Sequence, residues 1–260
     1  MENVLVSGCN GRMGRVIIDQ LEGHPTFQVS AGVDMQKSSD YPFPVYDSFD
    51  SVNSPCDIVI DFSHISLTPF VLSFCVAKGL PLILATTGIA GDLEKQVLTA
   101  AETIPIFKSF NMSLGISLLQ SLVRQAAMVL GGRYELEIIE KHHNNKLDAP
   151  SGTALMIAEA AAQALPYTPA YVYDRTGAHQ ARAPHEIGIH AVRGGAIVGE
   201  HEAMFIGPNE ILTISHSAQS RMLFADGALK AAEYLRGIKK PGIYNMDDLV
   251  AALSNRHVPA

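Results

Sequence analysis

Cysteine is scarce in the sequence, and basic residues are outnumbered by acidic ones. The three cysteines, at positions 9, 56 and 75, lie far apart and form no C-x-x-C pair. This usage is typical of a reduced compartment and excludes a disulfide framework. Nineteen basic residues stand against 26 acidic ones, which gives a net charge of −7. That balance excludes a broad nucleic-acid-binding surface, so any anion site must be a local group of basic residues.

Long apolar runs are also missing. No apolar stretch approaches the roughly 18 residues that a membrane span requires, so we expect no membrane insertion. The N-terminal MENVLVSGCNGRMG lacks the basic and apolar regions of a signal peptide, which predicts a soluble cytoplasmic protein. With 260 residues, of which 47% are hydrophobic and 17% charged, the chain can bury a substantial core in one large domain or two modest ones.

Short apolar strands alternate with helices over the first 111 residues. This alternation predicts right-handed βαβ units and a parallel sheet, and therefore an α/β fold of the Rossmann type. The predicted strands lie at residues 4–6, 27–33, 57–62, 80–85 and 104–108, and the predicted helices at 12–21, 67–77 and 93–102.

The pattern changes after Asn111. Three strand candidates near the end of the chain are joined by glycine-rich turns, which favours a sheet built from hairpins, and we expect a second, α+β domain with a mixed sheet. The Pro-, Ala- and Thr-rich residues 166–184 predict a mobile loop or lid. The other predicted elements are helices at 112–130, 154–165 and 221–235 and strands at 134–139, 187–192, 196–206 and 211–216.

A glycine-rich turn joins the first predicted strand to the first helix. Its sequence, SGCNGRMG, has the spacing G-x-x-G-x-x-G rather than the commoner G-x-G-x-x-G. Glycines at such a turn let backbone N–H groups approach a pyrophosphate at the helix N-terminus, which predicts a dinucleotide site; the alternative is a tight turn without a ligand. The residues predicted to bind the cofactor here are Gly8, Cys9, Asn10, Gly11, Arg12 and Met13.

An acidic residue follows the second predicted strand, 20 residues beyond Gly14. Asp34 is placed to accept hydrogen bonds from the adenosine ribose of a dinucleotide. A carboxylate favours a free 2′-hydroxyl over a 2′-phosphate, and its neighbour is Met35 rather than an arginine. Lys37 is near enough in the sequence to reach a phosphate. The sequence therefore predicts NADH as the preferred cofactor, with use of NADPH also open.

Two further segments follow the fourth and fifth predicted strands. In an open parallel sheet, ligands bind at the carboxyl ends of the strands, where these segments lie. They predict contacts with the ribose and nicotinamide of the cofactor, and the alternative for each is an ordinary turn. Their residues are Ala85, Thr86 and Thr87 in the first segment and Ser109, Phe110, Asn111 and Met112 in the second.

An unusual group of basic residues precedes the predicted helix at 154–165, in the run KHHNNKLDAPSGTA. Two imidazoles, an ammonium group and a helix N-terminus suit a carboxylate substrate with a proton donor beside it. A lone histidine is more often a surface or packing residue, but this combination favours a site for a small dianion. The residues concerned are His142, His143 and Lys146, the candidate N-cap Ser151, and Gly152 and Thr153 with their first-turn N–H groups.

Other roles for the histidines and for Arg193 also have to be considered. Four of the ten histidines, at positions 142, 143, 201 and 216, could converge on a metal ion. The sequence has no H-E-x-x-H motif and no cysteine ligand pair, so we expect no metal. Arg193 could bind a second carboxylate with its guanidinium group, although a surface charge at the end of a hairpin is the simpler interpretation.

The sequence resembles the 4-hydroxy-tetrahydrodipicolinate reductase family, the dihydrodipicolinate reductases of lysine biosynthesis. The run EKHHNNKLDAPSGTA, from Glu140 to Ala154, carries most of the resemblance, and the glycine-rich turn, ATTG and NMSLG support it. The segments RGG, VGEH and GIYNMDD fit as well, so the resemblance covers nearly the whole chain in order.

The resemblance implies a reductase of the diaminopimelate route to lysine. It implies a dinucleotide-binding domain at 1–111, which the C-terminal segment 221–260 completes. It also implies a substrate-binding domain at 112–220, whose sheet assembles a homotetramer. The substrate would be a small dicarboxylate that accepts a hydride from nicotinamide C4 while its 4-hydroxyl leaves as water.

The resemblance also implies a role for each matching residue of the basic run. His142 would be the proton donor or acceptor, Lys146 the second acid, and His143 a substrate contact. Gly152 and Thr153 would hold a carboxylate through their N–H groups. The glycine-rich turn, the acid after the second strand and the segments after the fourth and fifth strands would line the cofactor.

Three positions depart from the family pattern. The residue beside the acid after the second strand is usually basic in members that use NADPH well, and here it is Met35. Ala85 stands where glycine is often found, and Met112 stands where an aromatic residue is often found. These differences bear on cofactor preference and nicotinamide packing rather than on the reaction.

Other functions are compatible with a nicotinamide-binding fold. Another dehydrogenase of this architecture could act on aspartate or homoserine, but the H-H-x-x-K run and the S-G-T segment argue against it. A nucleotide sensor that has lost its chemistry would be expected to lack a proton donor, whereas His142 and Lys146 are both present. A metal hydrolase is a third alternative, which a metal assay on the purified protein would test.

Overall fold

A computed structural model describes residues 1–36 and 41–255. The chain divides into two compact units, one formed by Met1–Ser113 with the chain from Met222 onward, the other by Leu114–Arg221. The strands are β1 (Glu2–Ser7), β2 (Phe27–Val33), β3 (Val45–Tyr46), β4 (Ile58–Asp61), β5 (Leu82–Leu84), β6 (Pro105–Lys108), β7 (Glu135–His142), β8 (Ala170–Val172), β9 (Glu186–Arg193), β10 (Gly199–Ile206), β11 (Ile211–Ala218) and β12 (Gly242–Tyr244). The α-helices are α1 (Arg12–Leu21), α2 (Thr68–Lys78), α3 (Asp92–Ala101), α4 (Leu114–Leu130), α5 (Gly152–Ala162), α6 (Met222–Leu235) and α7 (Met246–Asn255).

The first unit is built on a parallel sheet in the strand order β12-β6-β5-β4-β1-β2-β3. The order reverses at β1, whose neighbours are β2 and β4, because the crossovers run first to one side of β1 and then to the other. The carboxyl ends of β1 and β4 therefore border the crevice where open α/β sheets bind ligands. The predicted Rossmann-type sheet is confirmed.

Helices cover both faces of this sheet. α2 and α3 pack together and share a buried cluster with strand residues such as Leu5, Val59 and Leu82. α1 packs on β1 and β2, and α6 packs on α1 and on the three strands β4, β5 and β6. The central strands β4 and β5 are buried along their whole length, which explains why the sequence shows them as short continuous apolar runs. In the described ranges, no helix has both the length and the apolar character needed to cross a membrane.

Three elements of the first unit give little signal in the sequence. β3 has only two residues and β12 begins at a glycine, so neither produces an apolar run. Both strands pair at an edge of the sheet, β3 with β2 and β12 with β6. α7 follows β12 almost directly, with Asp247 and Asp248 in its first turn, where they complement the positive end of the helix dipole.

The second unit is a mixed sheet in the order β11-β10-β7-β9-β8. α4 and α5 pack together on one face, over a buried cluster that includes Ile138, Ile157 and Phe205. The mixed sheet is confirmed, but the expectation of a sheet built from hairpins is wrong in part. β10 and β11 form an antiparallel hairpin, whereas β9 pairs in parallel with β7. The glycine-rich link at 194–195 therefore joins two strands that lie on either side of β7.

The segment 166–184, for which the composition predicts a mobile loop or lid, has regular structure in part. It contains β8, which pairs in parallel with β9, and two arginines that anchor the chain beyond β8. Arg175 and Arg182 both donate to Glu137 on β7, at 3.2 and 3.0 Å, and Arg175 also donates to Glu186 at 2.8 Å. Salt bridges hold this segment in place, although its sequence shows no apolar periodicity that would predict a helix or strand.

Candidate active site

The glycine-rich turn after β1 is formed by close backbone contacts that exclude side chains. Gly8 has a φ of +77°, a left-handed conformation that favours glycine. A Cβ on Gly14 would lie 2.1 Å from the Gly8 carbonyl oxygen, so α1 can approach the turn only with glycine at this position. The remaining glycine, Gly11, is the N-cap of α1 and donates its N–H to Gly8 O at 3.0 Å.

The N-terminus of α1 suits an anion. Gly11 provides no capping side chain, and the first turn, which starts with Arg12 and Met13, contains no acidic residue in this fully described helix. First-turn N–H groups and the positive end of the helix dipole can therefore hold the pyrophosphate of a dinucleotide. Cys9 is buried against Gly32, and burial raises the pKa of its thiol to about 11, so it packs rather than reacts.

The predicted ribose-binding acid lies beside this turn. Asp34 Oδ2 accepts the Asn10 N–H at 3.0 Å, which joins the end of β2 to the glycine-rich turn, and Asn10 Nδ2 donates to Gln36 O at 2.6 Å. Asp34 also lines a cavity of about 420 Å³ together with Phe70 and Phe74 of α2. The structure thus groups the acid with the turn residues, whereas Lys37 lies outside the described residues.

The segments after β5 and β6 meet at a second cavity of the first unit. Thr86 Oγ1 donates to the buried Asp61 carboxylate at 2.6 Å and lies 3.0 Å from Ser63 O, which ties the end of β5 to the end of β4. A cavity of about 410 Å³ lies between the two segments, and Thr87, Ser109 and Phe110 line it with Thr86. Phe110 is 72% exposed, an unusual position for a large apolar side chain.

Three predicted cofactor residues support the shape of these segments. Ala85 donates its N–H to Asp61 O at 3.0 Å, and Asn111 Oδ1 accepts the Ser113 N–H at 2.8 Å. Met112 is buried, and a Cβ on Gly227 of α6 would lie only 1.6 Å from its carbonyl oxygen. α6 can therefore pack against the segment after β6 because residue 227 is a glycine.

Strand β7 supplies the first groups of a separate site in the second unit. Its burial alternates, with Leu136 and Ile138 in the core and Glu140 and His142 following on the same buried side. The strand runs to His142, beyond its predicted end at residue 139, and the chain turns only afterwards. His142 is consequently buried, while its neighbour His143 is half-buried just beyond the strand.

Glu140 lies at the centre of this group and has no exposed surface. Its Oε2 is 2.6 Å from His142 Nδ1, and its Oε1 accepts the Ser151 N–H at 2.9 Å. Arg193 forms a bidentate pair with the same carboxylate, with both Nη–O distances at 2.7 Å, and also donates to Asp148 O at 2.6 Å. The interpretation of Arg193 as a surface charge at a hairpin end is therefore wrong, because a buried acid requires its charge.

The electrostatic surroundings keep Glu140 ionised. Burial alone would raise the pKa of Glu140, but hydrogen bonds from Arg193, His142 and Ser151 outweigh burial and lower it. Burial lowers the pKa of His142, the contact with Glu140 raises it in part, and the charges of Lys146 and Arg193 lower it further. A neutral His142 beside an ionised Glu140 is therefore favoured at neutral pH.

Ser151 is the N-cap of α5, as the sequence predicts. Its Oγ accepts the backbone N–H of residue 154 at 3.1 Å. The same oxygen lies 3.1 Å from Nε2 of His201 on β10, whose ring packs edge-on against His142 with 5.1 Å between the ring centroids. Burial lowers the pKa of His201 to about 3, so this histidine is neutral.

Lys146 and the first turn of α5 share a carboxylate of the chain itself. Lys146 Nζ lies 2.8 Å from Asp148 Oδ1. This contact is the main cause of a lowered pKa for Asp148, to which a bond from the Gly152 N–H also contributes. Gly152 and Thr153 begin α5 directly after its cap. The structure thus brings an ammonium group and a helix N-terminus together around one carboxylate.

The arrangement of the histidines in this region bears on the metal site that was considered from the sequence. Over residues 1–36 and 41–255, no group of three or more histidine, cysteine, aspartate or glutamate residues is arranged to hold a metal ion. His201 and His216 are cross-strand partners on β10 and β11, but His201 bonds to Ser151. The carboxylate beside His142 is that of Glu140, and it is already paired with Arg193.

Two buried acids organise these sites, although neither is among the predicted site residues. Asp61 accepts from Ser63 N–H and Thr86 Oγ1, and Glu140 joins β7 to α5. The sequence does give an indication of the role of Glu140. Glu140 lies with the apolar residues Leu136 and Ile138 on one side of β7, and a charged residue on a buried side must be paired. For Asp61 the signal is an acid directly after the apolar run Ile58–Ile60, at the carboxyl end of a strand.

Comparison with known proteins gives matches along nearly the whole chain. The family model "Dihydrodipicolinate reductase, N-terminus" matches residues 2–112, and "Dihydrodipicolinate reductase, C-terminus" matches residues 115–250. The 4-hydroxy-tetrahydrodipicolinate reductase of Caldanaerobacter subterraneus subsp. tengcongensis is 52% identical over 250 residues, which are 96% of this chain and 98% of that protein. The protein of the same name from Clostridium tetani is 44% identical over 247 residues, 95% of this chain and 96% of its own.

A solved structure agrees with the fold. The dipicolinate-bound dihydrodipicolinate reductase from Paenisporosarcina sp. TG-14 superposes with a TM-score of 0.80 over 94% of this chain and 97% of its own, at 22% identity. At 22% identity this superposition supports the fold alone. Membership of a family is shown by the family models and by the relatives above 40% identity. The resemblance seen in the sequence is confirmed, and the chain belongs to the dihydrodipicolinate reductase family.

Proposed function

We propose that this protein reduces 4-hydroxy-tetrahydrodipicolinate to tetrahydrodipicolinate with a reduced nicotinamide nucleotide, as a step of the diaminopimelate route to lysine. Relatives that match nearly the whole chain carry the name of this reductase. The observation that carries the proposal is the group at the start of α5, where a helix N-terminus adjoins a buried histidine–glutamate pair. That arrangement suits a small acidic substrate whose conversion requires a proton.

The first turn of α5 is the proposed site for a substrate carboxylate. In the structure, the Asp148 carboxylate contacts the Lys146 ammonium group just before the start of α5, which supports a carboxylate at this position. A substrate carboxylate would take over this contact and add the N–H groups of Gly152 and Thr153, with Ser151 holding the turn in place. His143 would contact the substrate from the end of β7. The solved relative from Paenisporosarcina is described as bound to dipicolinate, a dicarboxylate.

His142 and Lys146 are the proposed sources of the proton. Reduction replaces the 4-hydroxyl with hydride, and the departing hydroxide takes up one proton and leaves as water, so atoms and charges balance. When bound, the reduced nicotinamide supplies the hydride. His142 is buried and held at Nδ1 by Glu140, which leaves its other ring nitrogen for the substrate, and Lys146 provides a second acidic group near the same helix end.

We also propose that the first unit binds the nucleotide and prefers NADH. The proposal is supported by the turn from Gly8 to Met13, which would hold the pyrophosphate, and by Asp34 beside it, which would bind the adenosine ribose. The nicotinamide half would be held by Ala85 to Thr87 and Ser109 to Met112. A carboxylate at residue 34 with Met35 as neighbour favours a free 2′-hydroxyl, while NADPH use is expected to be weaker.

A homotetramer assembled through the second sheet completes the proposal. α4 and α5 cover one face of that sheet. The opposite face carries the partly buried apolar residues Ile139, Met204 and Ile206, which suit packing against another copy of the chain. Light scattering coupled to size exclusion tests this point, and a monomer at working concentration would contradict it.

The experiment that tests the function is oxidation of NADH followed by absorbance. The substrate is prepared freshly by coupled dihydrodipicolinate synthase, and the same assay is run with NADPH. We expect turnover with both nucleotides and a lower KM for NADH. Binding of nucleotide without turnover of either would contradict the assigned substrate while leaving the fold assignment intact, and would favour another dehydrogenase or a nucleotide sensor.

A further inference from the structure

We propose that Glu140 is a positioning residue that aligns two parts of the substrate site at the same time. Through Oε2 it fixes the imidazole of His142, and through Oε1 it fixes the start of α5. The identity of the reaction rests on the function proposed above, whereas the alignment is a property of the second unit alone.

Glu140 can serve both parts because it is fully buried and its two oxygens bond to different elements. One oxygen lies 2.6 Å from His142 Nδ1 and the other lies 2.9 Å from the Ser151 nitrogen. An ionised carboxylate only accepts hydrogen bonds, so both partners must donate. A displacement of this one side chain would move the proposed proton donor and the proposed carboxylate site together.

Arg193 makes this arrangement possible. Each oxygen of Glu140 receives one guanidinium N–H at 2.7 Å in addition to its bond from β7 or α5. The bidentate pair neutralises the buried charge, which keeps Glu140 ionised without a proton from His142. Arg193 also donates to Val192 O and to Asp148 O, and the contact with Asp148 O holds the loop that leads into α5. The guanidinium fork is thus engaged with the chain itself, rather than with a second substrate carboxylate.

The bond to Glu140 determines which nitrogen of His142 faces the substrate. With a hydrogen on Nδ1, the neutral ring has an unprotonated Nε2 that accepts a proton, and the charged ring donates from the same atom. A Cβ on Gly199, the first residue of β10, would lie 3.0 Å from this Nε2. Glycine at that position leaves room for the imidazole, which a side chain would crowd at Nε2.

The charge of Glu140 also affects the proton affinity of His142. Burial lowers the pKa of His142, Glu140 raises it, and two cations lower it further, Lys146 from the following loop and Arg193 from the end of β9. Loss of the Glu140 charge with Arg193 still present would therefore lower the pKa of His142.

The other two histidines near this ring do not compete with Glu140. His201 on β10 packs edge-on against His142, and burial lowers its pKa to about 3. His216 on β11 is the cross-strand partner of His201, and burial lowers its pKa as well. Both are neutral around pH 7, so Glu140 is the negative group that governs the protonation of His142.

The test compares Glu140→Gln with a matched control, Glu137→Gln. Glu137 lies on the same strand but on the opposite face, and it too pairs with arginine and histidine side chains, namely Arg175, Arg182 and His190. Each substitution removes a paired carboxylate from β7. Only the substitution at 140 removes one that contacts His142 and α5.

The first readout is nitrogen-15 NMR of histidine-labelled protein without substrate, with the His142 signals identified by their loss in His142→Gln. We expect a neutral ring protonated at Nδ1 in the wild type and in Glu137→Gln, and a shift toward the Nε2-protonated form in Glu140→Gln. A wild-type ring protonated at Nε2 would overturn the proposal. If Glu140→Gln does not fold, Arg193→Lys, which keeps the charge but loses the fork, takes its place in the same comparison.

The second readout is kinetic. We expect kcat/KM of Glu140→Gln to fall about 100-fold. The loss of kcat with rising pH should also begin at a lower pH, because His142 with a lowered pKa is protonated, and able to donate, only at lower pH. Glu137→Gln should stay close to the wild type in both respects. Equal losses in the two variants, or an unshifted pH profile, would overturn the positioning role.

The two readouts separate this role from the proposed reaction. A wild type that shows the Nδ1 form, and loses it in Glu140→Gln, but does not turn over the substrate would contradict the reaction and uphold the alignment. If the wild type turns over the substrate while Glu140→Gln behaves like Glu137→Gln, the reaction is upheld and the alignment is contradicted.

Discussion

Ser151 Oγ lies 3.1 Å from His201 Nε2, and the same oxygen accepts the backbone N–H of residue 154. One hydroxyl therefore joins β10 to the first turn of α5. A hydroxyl can accept from the backbone while it donates to an imidazole, so both contacts are made together. The position of the proposed carboxylate site depends on this connection.

Replacing Ser151 with alanine should weaken both stability and substrate binding. The change removes an N-cap and leaves a buried imidazole without its partner, so we expect a loss of about 1–2 kcal/mol in the free energy of unfolding. KM for the substrate should rise more than kcat falls, because the helix end frays. Urea unfolding and steady-state kinetics measure the two effects, with Ser215→Ala on an exposed position of β11 as control. Lost stability with an unchanged KM would contradict the carboxylate site at this helix end.

Acid should destabilise the protein, and His201 should account for part of the effect. Burial lowers its pKa to about 3 in the folded protein, against an ordinary value near 6.5. Between these values the unfolded chain takes up a proton that the folded protein refuses, so stability is complete above about pH 6.5 and falls as the pH drops toward 3. The slope from this one residue can reach about 1.4 kcal/mol per pH unit.

His201→Gln should flatten this dependence even if it lowers stability at every pH. Urea unfolding at several values between about pH 7 and pH 5 gives the slope. His179→Gln, at an exposed position just after a turn, serves as control and should leave the slope as in the wild type. Parallel curves for His201→Gln and the wild type would contradict a buried neutral His201.

The parallel sheet and its glycine-rich turn could be predicted because their signals are local. Val4, Leu5 and Val6 form a buried apolar run, and the glycines that follow are required by contacts within the same turn, such as Gly14 against Gly8 O. The N-cap at Ser151 is local in the same sense, since its bond spans three residues.

The pairing of β9 with β7 and the partners of Glu140 could not be predicted in the same way. Gly194 and Gly195 have the appearance of a hairpin turn, but β9 pairs with β7 and β8, and β10 lies on the other side of β7. Arg193 and Glu140 are 53 residues apart, and only the register of β7 with β9 brings them together. The alternation of β7 predicts a buried charge but not the identity of its partner.

Gly14→Ala should impair nucleotide binding by displacing α1 from the turn. The new Cβ would lie 2.1 Å from Gly8 O, so the helix or the turn must move. We expect the affinity for NADH to fall about tenfold or more, in line with the cost of overpacking. Fluorescence titration with NADH measures this, and Gly177→Ala, where a Cβ would meet no atom within 4 Å, is the control. Equal affinities for the two variants would contradict the role of the turn.

Asp34→Ala should weaken the binding of NADH more than that of NADPH. The carboxylate is expected to accept from the ribose hydroxyls, and such a bond to a charged group is worth about 1.5–3 kcal/mol, or roughly tenfold or more in affinity. Asp34 also accepts the Asn10 N–H, so Asp34→Asn, which can keep that bond, separates loss of charge from a disturbed turn. If both variants weaken NADH and NADPH equally, the ribose contact is wrong.

Lys146→Ala should reduce kcat about 10²- to 10⁴-fold while NADH binding is unchanged, because it removes one of the two proposed acids from the second unit. The control is Lys141→Ala: Lys141 lies on β7 and pairs with Glu200 at 3.0 Å in a partly exposed position, so its loss removes equal charge away from α5. A kcat at the wild-type level would remove Lys146 from the acid role. A rise in KM alone would assign Lys146 to binding of the substrate carboxylate, which would then replace the Asp148 carboxylate that Lys146 contacts in the structure. His142 would remain as the proton donor.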